Sequence, residues 1–544
     1  MCKQHSNKNR PQRKGITNTH TTQHQRDHLL WSRRNFLQVS GVLGMGAALL
    51  NNIPVSALPF PSLKSNNENN GRVLVLVRLE GGNDGLNMII PRFNDYYYSL
   101  RPNIGITEAN LSPLYVNGVA QDFGLNNNIA DLMPLWNEGK MAIIHNVGYE
   151  IPNLSHFRSS DIWSTASNPE ELWTTGWIGR YTDYLLPAFV EAPPTTPPAL
   201  QIGNYSDLVF KGPAEQMALV LNNPTEFYQI AQTGQLYSTE GLGTCARDTS
   251  LAFLRQAANN SFRYSESLKE AFNASNTIGN YPANDSLAEQ LRIVARLIKG
   301  NLGTQVYIVS IGGFDTHDNQ PTYHPQLLNS IGKSIKAFYD DLQENGYYKN
   351  VLTATFSEFG RTIDENGSLG TDHGNGAPMM LFGENVNGFF GTPPDLSNYD
   401  PYYRFFDGST DFRNVYASIL QDWFCAEPEI SNFILGRTFD TIPNLLPACA
   451  TPVSLAEPSV LLGHNPNKTQ NGMIDIKYSI MRSAYVRLLI LNPSGNILRT
   501  LISEYQDRGS YTFSFSPAQL ALSPGKYVYR LDTNGKVYSR AFTI

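Results

Sequence analysis

The stretch "RVLVLVRLEGGNDG", Arg72 to Gly85, decides the fold: from Val73 to Leu79 the run is apolar except for Arg78, and it stops at paired glycines. An apolar run without polar alternation suits a strand covered on both faces, as in a parallel sheet flanked by helices. The form recurs in "MAIIHNVG" from Met141, "QVYIVSIGGFDTH" from Gln305 and "VLTATFSEFG" from Val351. Helical periodicity lies between them, in "SLAEQLRIVARLI" from Ser286 and in "QLLNSIGKSIKAFYDDLQENG" from Gln326, the latter with a glycine stop at Gly346. Strands alternating with helices predict an α/β body with a doubly wound, mostly parallel sheet. In such sheets ligands gather at the carboxyl ends of the strands.

Both ends of the chain depart from this pattern. Near the start, "SRRNFLQVSGVLGMGAALL" places Arg33 and Arg34 before an apolar run of about twelve residues, and "VSA" closes it at Ala57. That run is shorter than the ~20 residues a membrane helix needs, so residues 1–57 read as a cleaved export signal, with 58–71 as a linker. The paired arginines make it resemble a twin-arginine signal, which implies the twin-arginine translocase as a partner and often a metal or cofactor loaded before export. Removing the leader's eight Lys/Arg and one Asp leaves 33 basic against 46 acidic residues, a formal charge of −13. A chain this acidic is a poor binder of nucleic acid by phosphate neutralisation. Cys2 belongs to the leader, and Cys245, Cys425 and Cys449 permit at most one disulfide, for which Cys425 and Cys449 are the nearer pair.

From about Ser454 the helical patterns give way to short alternating runs such as "MIDIKYSI", "VRLLILN", "YTFSFS", "KYVYRLD" and "VYSRAFTI", separated by turn signals. These predict a small β-sandwich over 459–544, joined to a body at 72–447 by a linker at 448–458. With "NPN" at Asn465 to Asn467, "LNPSGNILRTL" and "LSPGKYVYRLDTNGK", the tail resembles the C-terminal sorting domain of type IX secretion cargo. That implies outer-membrane type IX machinery as a partner and a place in the periplasm, at the cell surface or outside the cell. An immunoglobulin-like adhesion or spacer module is the plainer alternative.

The polar clusters of the body sit where a doubly wound sheet puts its ligands. Asp84 follows the first strand, Asp315 and His317 follow "IVSIGG", Glu358 follows "LTATFS", and Asp372 and His373 precede "APMMLFG". Carboxylates converging without matching lysines repel unless a cation lies among them. Asp84, Asp315, His317, Glu358, Asp372 and His373 are therefore candidate ligands of a divalent metal, Zn²⁺ or Mn²⁺/Fe, with Mg²⁺ or Ca²⁺ if the histidines turn away. Lone histidines are more often structural, and His145 and His324 are read that way.

Six motifs in order, "LVRLEGGNDGLNMIIP", "HNVGYEIPNLSHFRSSDIW", "GWIGRY", "GGFDTH", "TFSEFGRT" and "GTDHGNGAPMMLFG", resemble the domain of unknown function 1501 family over roughly 72–447. That family is related by fold to alkaline phosphatases, sulfatases and cofactor-independent phosphoglycerate mutases. The resemblance implies an alkaline phosphatase-like sheet, one or two metal ions, and a Ser or Thr nucleophile acting on an anionic ester. Ser155, His156 and Arg361 are the catalytic candidates: Ser155 as nucleophile, and Arg361, or Arg158, as a clamp on anionic oxygens. Ser155 is equally placed to be a helix N-cap, a role compatible with the first.

The chain departs from the enzyme pattern in two places. One residue separates Asp315 from His317 where the relatives have three, and Glu358 stands where an Asp-His pair is expected. Two readings of function stand open: an exported metal-dependent hydrolase of phosphate or sulfate esters, on surface or extracellular polymers for instance, and a metal-stabilised surface binding or assembly protein without turnover. The aromatic runs "NDYYYS" and "YDPYYRFFDG" and the appended sandwich favour the second. A glycosidase or lyase using Glu358 and Asp315 as a carboxylate pair leaves the histidines without a role.

Overall fold

The computed structural model describes residues 71–186, 194–203, 206–212, 216–231, 263–398, 410–447, 449, 460–468, 473–480, 484–492, 495–506, 509–533 and 536–544. The leader, nearly all of both linkers, Cys245 and "YDPYYRFFDG" lie outside them. Residues 64–220 and 270–544 form one compact unit. The helix Pro224–Ala231 belongs to a second unit.

Among the described residues, twelve strands precede the tail: β1 (Val73–Glu80), β2 (Ile89–Pro91), β3 (Leu111–Val116), β4 (Val119–Asn126), β5 (Met141–Gly148), β6 (Ala199–Ile202), β7 (Ala218–Leu221), β8 (Val306–Gly312), β9 (Val351–Phe356), β10 (Ala377–Phe382), β11 (Gly388–Phe390) and β12 (Thr410–Asp411). Nine of them form one sheet in the order β11-β5-β10-β9-β1-β8-β6-β7, with β12 beside β5. β1 pairs in parallel with β8 and β9, and β6 with β8, while β10 runs antiparallel to both β5 and β9. The doubly wound, mostly parallel sheet predicted from "RVLVLVRLEGGNDG" is therefore present. Arg78, the one polar break in that strand, is answered by Asp207 at 2.7 Å and by Ser160 at 2.6 Å. Strands β2, β3 and β4 form a separate small antiparallel sheet.

Helices cover both faces of the large sheet. Leu74, Leu76 and Ile308 share a core with Trp163, Trp177 and Tyr416, residues of α1 (His156–Thr165), α2 (Trp177–Leu185) and the helix Phe412–Ser418. Val75, Val77, Tyr307 and Val309 are buried and point the other way, as strand alternation requires. On that side α3 (Ser286–Lys299) packs against β8 and β6, and α4 (Gln320–Asp341) packs on α3. α3 is capped by Asp285, whose carboxylate accepts from Ala288 N at 2.9 Å. α4 starts six residues before the apolar periodicity at Gln326, because Pro321 falls in its first turn, where the missing N–H has no helical partner to lose. It ends at Asp341, and the glycine stop at Gly346 falls in the following 3-10 segment, Glu344–Asn350.

In the tail, β13 (Val460–Lys468), β14 (Ile474–Ile480) and β17 (Gly509–Phe515) form one antiparallel sheet. β15 (Ala484–Leu491), β16 (Ile497–Gln506), β18 (Lys526–Thr533) and β19 (Lys536–Thr543) form the other. Ile474, Ile476 and Tyr478 from the first share a core with Val486, Leu488, Leu531 and Phe542 from the second, which makes the tail a sandwich. Two of its strands, β13 and β16, lie outside the five runs that alternation picks out. In the body Cys425 and Cys449 form a disulfide with Cα atoms 5.6 Å apart. The aromatic run "NDYYYS" is half structural: Tyr97 is fully buried and donates to Asn87, while Tyr96 is exposed.

Candidate metal centre

Five segments bring polar side chains to the carboxyl edge of the sheet: the turns after β1, β5, β8 and β9, and the loop entering the reversed strand β10. Glycine makes the crowding possible. A Cβ on Gly81, at φ 118°, would stand 2.3 Å from the Asp315 amide nitrogen, and one on Gly370 would stand 2.3 Å from the His317 carbonyl carbon.

Three histidines meet around Asp315. His317 Nε2 and His373 Nε2 each lie 3.1 Å from Asp315 Oδ1, and His156 Nε2 lies 3.4 Å from Oδ2. The opposite nitrogen of each ring faces an acceptor. His156 Nδ1 is 2.8 Å from Glu358 Oε1, His317 Nδ1 is 2.9 Å from Asp372 Oδ1, and His373 Nδ1 is 2.8 Å from the Leu154 carbonyl. A carbonyl only accepts, so Nδ1 of His373 donates to Leu154, and Nδ1 of His156 and of His317 can donate to Glu358 and Asp372 in the same way. With Nδ1 donating in each neutral ring, all three Nε2 atoms face the Asp315 carboxylate as lone pairs. Ligand histidines are oriented in this way, by an oxygen acceptor on the far nitrogen.

The other candidates take different places. Glu358, accepting from Gly81 N at 2.9 Å, and Asp372 stand behind histidines rather than among the Nε2 atoms. Asp84 is held in its own buried network: Arg101 donates to its Oδ2 at 2.7 Å and Gln320 at 2.5 Å, with both ion-pair side chains at most 1% exposed. The structure thus joins Asp315, His317, His373 and His156 directly, adds Glu358 and Asp372 as supports, and gives Asp84 a guanidinium partner. His156, Asp315 and His373 offer ligand atoms within 4.8 Å of one another, a grouping that could hold a metal ion.

Arg361 organises the loops. Its side chain is fully buried, and it donates to the carbonyls of Gly81, Gly82, Phe314 and Thr371 and to Asp315 Oδ1 at 2.5 Å. Partial burial works against the Asp315 charge, but the Arg361 donors prevail and hold its carboxyl down to about 2. Burial, followed by the Arg361 charge, lowers His373. Arg158 donates to the carbonyls of Asn168, Pro169 and Glu171. Both arginines thus donate to backbone carbonyls, and Arg361 to Asp315 as well.

Ser155 stands between Leu154, whose carbonyl holds His373, and His156. It occupies the N-cap position of α1, yet its hydroxyl makes no capping bond, and Asn153 Oδ1 takes its backbone N–H at 3.0 Å. Phe359, buried, backs His156 and His373 with ring centroids 4.8 and 4.6 Å away. His145 stacks on Phe389, and His324 Nε2 meets Asn83 Oδ1 at 3.0 Å inside the core. Sequence reasoning grouped His156 with the nucleophile rather than the ligands, although its position in the turn after a sheet strand is the signal His317 also carries. Arg101 left no signal, since nothing in its spacing ties it to Asp84.

The profile described as "Protein of unknown function (DUF1501)" matches residues 72–399. The chain belongs to the DUF1501 family. No curated protein matches the sequence of this DUF1501 member. Among solved structures, the PsFucS1 sulfatase from Pseudoalteromonas sp. is 10% identical with a TM-score of 0.30, the match covering 82% of this chain and 84% of that one. A protein in the alkaline phosphatase superfamily from Vibrio parahaemolyticus is 10% identical with a TM-score of 0.29, over 89% and 94% of the two chains. The lipoteichoic acid synthase LtaP from Listeria monocytogenes is 10% identical with a TM-score of 0.27, over 83% and 88%. None of the three informs the roles of individual residues. Among the described residues no helix is long and apolar enough to cross a membrane.

Proposed function

We propose that this DUF1501 protein is an exported, metal-dependent hydrolase of phosphate or sulfate esters. The observation that carries the reading is the convergence of three Nε2 atoms on Asp315, each ring fixed from behind by an oxygen. His156, His317, His373 and Asp315 would hold the ion, and three imidazoles beside one carboxylate suit Zn²⁺, Mn²⁺ or Fe better than Mg²⁺ or Ca²⁺. When bound, such an ion neutralises an anionic ester and lowers the pKa of a neighbouring hydroxyl.

Ser155 is the proposed nucleophile. Attack by its Oγ forms an O–P or O–S bond and expels the alcohol; water then releases phosphate or sulfate and restores the hydroxyl. Glu358 and Asp372 keep the imidazoles in register, and Arg361 fixes Asp315. The leader's resemblance to a twin-arginine signal and the tail's resemblance to a type IX sorting domain support export by those two routes on this reading. Metal-loaded mature protein should hydrolyse a generic aryl phosphate or aryl sulfate, and Ser155→Ala should lower the rate at least a hundredfold with metal content and melting temperature unchanged. A rate that survives Ser155→Ala removes Ser155 from this role and leaves a metal-activated water as the attacking group.

The commitment of Arg158 and Arg361 to backbone carbonyls favours a second reading, a metal-stabilised surface binding or assembly protein. It requires no turnover of either ester by metal-replete protein.

A further inference from the structure

The segments that build the centre have an unusual charge balance for a site that takes an anionic ester. Residues 149–161, 312–324 and 357–376 hold eight Asp or Glu and no lysine, and their two arginines are Arg158 and Arg361. Arg361 is buried against four carbonyls and Asp315, and Arg158 against the 168–171 loop. On these described segments a ligand with many negative charges would meet carboxylates and no cationic side chain besides Arg158 and Arg361, and like charges at close range repel.

The same segments expose large apolar side chains. Ile151 is 75% exposed, Phe157 61%, Tyr323 51% and Leu369 44%. Each adjoins the centre along the chain or by a backbone contact. Ile151 is three residues before Leu154, which holds His373, and Phe157 follows His156. The Leu369 carbonyl accepts from Gln320 N at 2.9 Å, and Gly370 lies against the His317 backbone. Tyr323 stands in the first turn of α4, just after His317.

Two of these residues are also strained. Ile151 has φ 54° and Leu369 φ 58°, a conformation that costs bulky residues about 1–3 kcal/mol. Neither repays that strain by burial, so packing does not account for the residue type. Exposed apolar side chains carried by the segments that build a polar site are what a ligand with an apolar portion requires.

We propose that this rim takes the apolar alcohol portion of a small ester carrying a single phosphate or sulfate group, and that polyanionic polymers are excluded. The proposal rests on the hydrolase reading for the anionic end of the ligand; the apolar end rests on Ile151, Phe157, Tyr323 and Leu369.

The test is calorimetric binding to the metal-loaded mature protein, with inorganic phosphate, hexyl phosphate and heparin as probes. Hexyl phosphate should bind at least tenfold more tightly than phosphate, and heparin should not compete. The double variant Phe157→Ser, Leu369→Gly should reduce that ratio at least fivefold, and Phe157→Leu should retain it; glycine accepts the φ of position 369, so folding is preserved. Equal affinities for hexyl phosphate and phosphate, tighter binding of heparin, or a ratio untouched in the double variant overturns the proposal. Turnover of 4-nitrophenyl phosphate is measured in parallel. Preference for hexyl phosphate without turnover overturns the hydrolase and supports the rim, turnover without preference overturns the rim alone, and no binding of any probe overturns both.

Discussion

His317 and His373 face each other nitrogen to nitrogen, their Nε2 atoms 3.0 Å apart and both 3.1 Å from Asp315 Oδ1. With Nδ1 of each ring occupied by an acceptor, the facing atoms in the neutral state are two lone pairs and an anionic oxygen. Arg361 supplies one donor to that oxygen but none to the two nitrogens. A proton or a cation between the rings removes the repulsion, and a cation does so for His156 as well.

The ion count follows from Asp84. Its charge is balanced by Arg101 inside the core, so it does not call for a second cation, and metal analysis should return one ion per chain. Removing Arg101 leaves the carboxylate buried and unpaired. Arg101→Ala should cost about 3–5 kcal/mol in chemical denaturation, against at most about 1 kcal/mol for Arg92→Ala, whose partner Glu108 is half exposed. Two tightly bound ions in wild type, or a mild Arg101→Ala, would show that Asp84 is a ligand after all.

Arg361 ties the turns after β1 and β8 to the loop before β10. Arg361→Lys keeps the charge but offers one nitrogen in place of a planar fork, so most of the five contacts are lost. Metal affinity should fall at least tenfold with the variant still folded, as read by competition with a chelator and circular dichroism. Wild-type affinity in Arg361→Lys would mean the loops are held by something else.

Burial lowers His145 to about 4, and its ring is packed between Phe123 and Phe389. A folded-state value below the unfolded ~6.5 means that the unfolded chain binds the proton more readily. This contribution to stability is complete above about pH 6.5 and is lost as pH falls toward 4, by roughly 3 kcal/mol for a shift of this size. His145→Phe should therefore lose less stability than wild type between pH 7 and 4.5. Parallel pH profiles for the two proteins would show that His145 is not the group responsible.

What could be read from the residues alone was set by local chemistry. Unbroken apolar runs such as Val306–Val309 announce buried strands, and glycines after them announce the edge where ligands collect. The division of labour at that edge was not legible. Asp372 and His373 are neighbours in sequence, yet one supports His317 from behind and the other presents its Nε2 to Asp315, because successive side chains leave an extended segment, here the one bridged to Arg361, on opposite sides. Arg361 looked like a substrate clamp because sequence shows a cation among acids but not the four carbonyls that enclose it. In the tail, β13 carries "GHNPNK", too polar to register as a strand until β14 is seen beside it.

The most direct test of the central claim is X-ray absorption at the edge of the metal that co-purifies with the mature protein, recorded for wild type and for His317→Ala. A first shell of imidazole nitrogens with carboxylate oxygen, losing one imidazole in His317→Ala, is the predicted result. A purified protein with no bound metal after growth in replete medium, or an all-oxygen shell unchanged in His317→Ala, would contradict it.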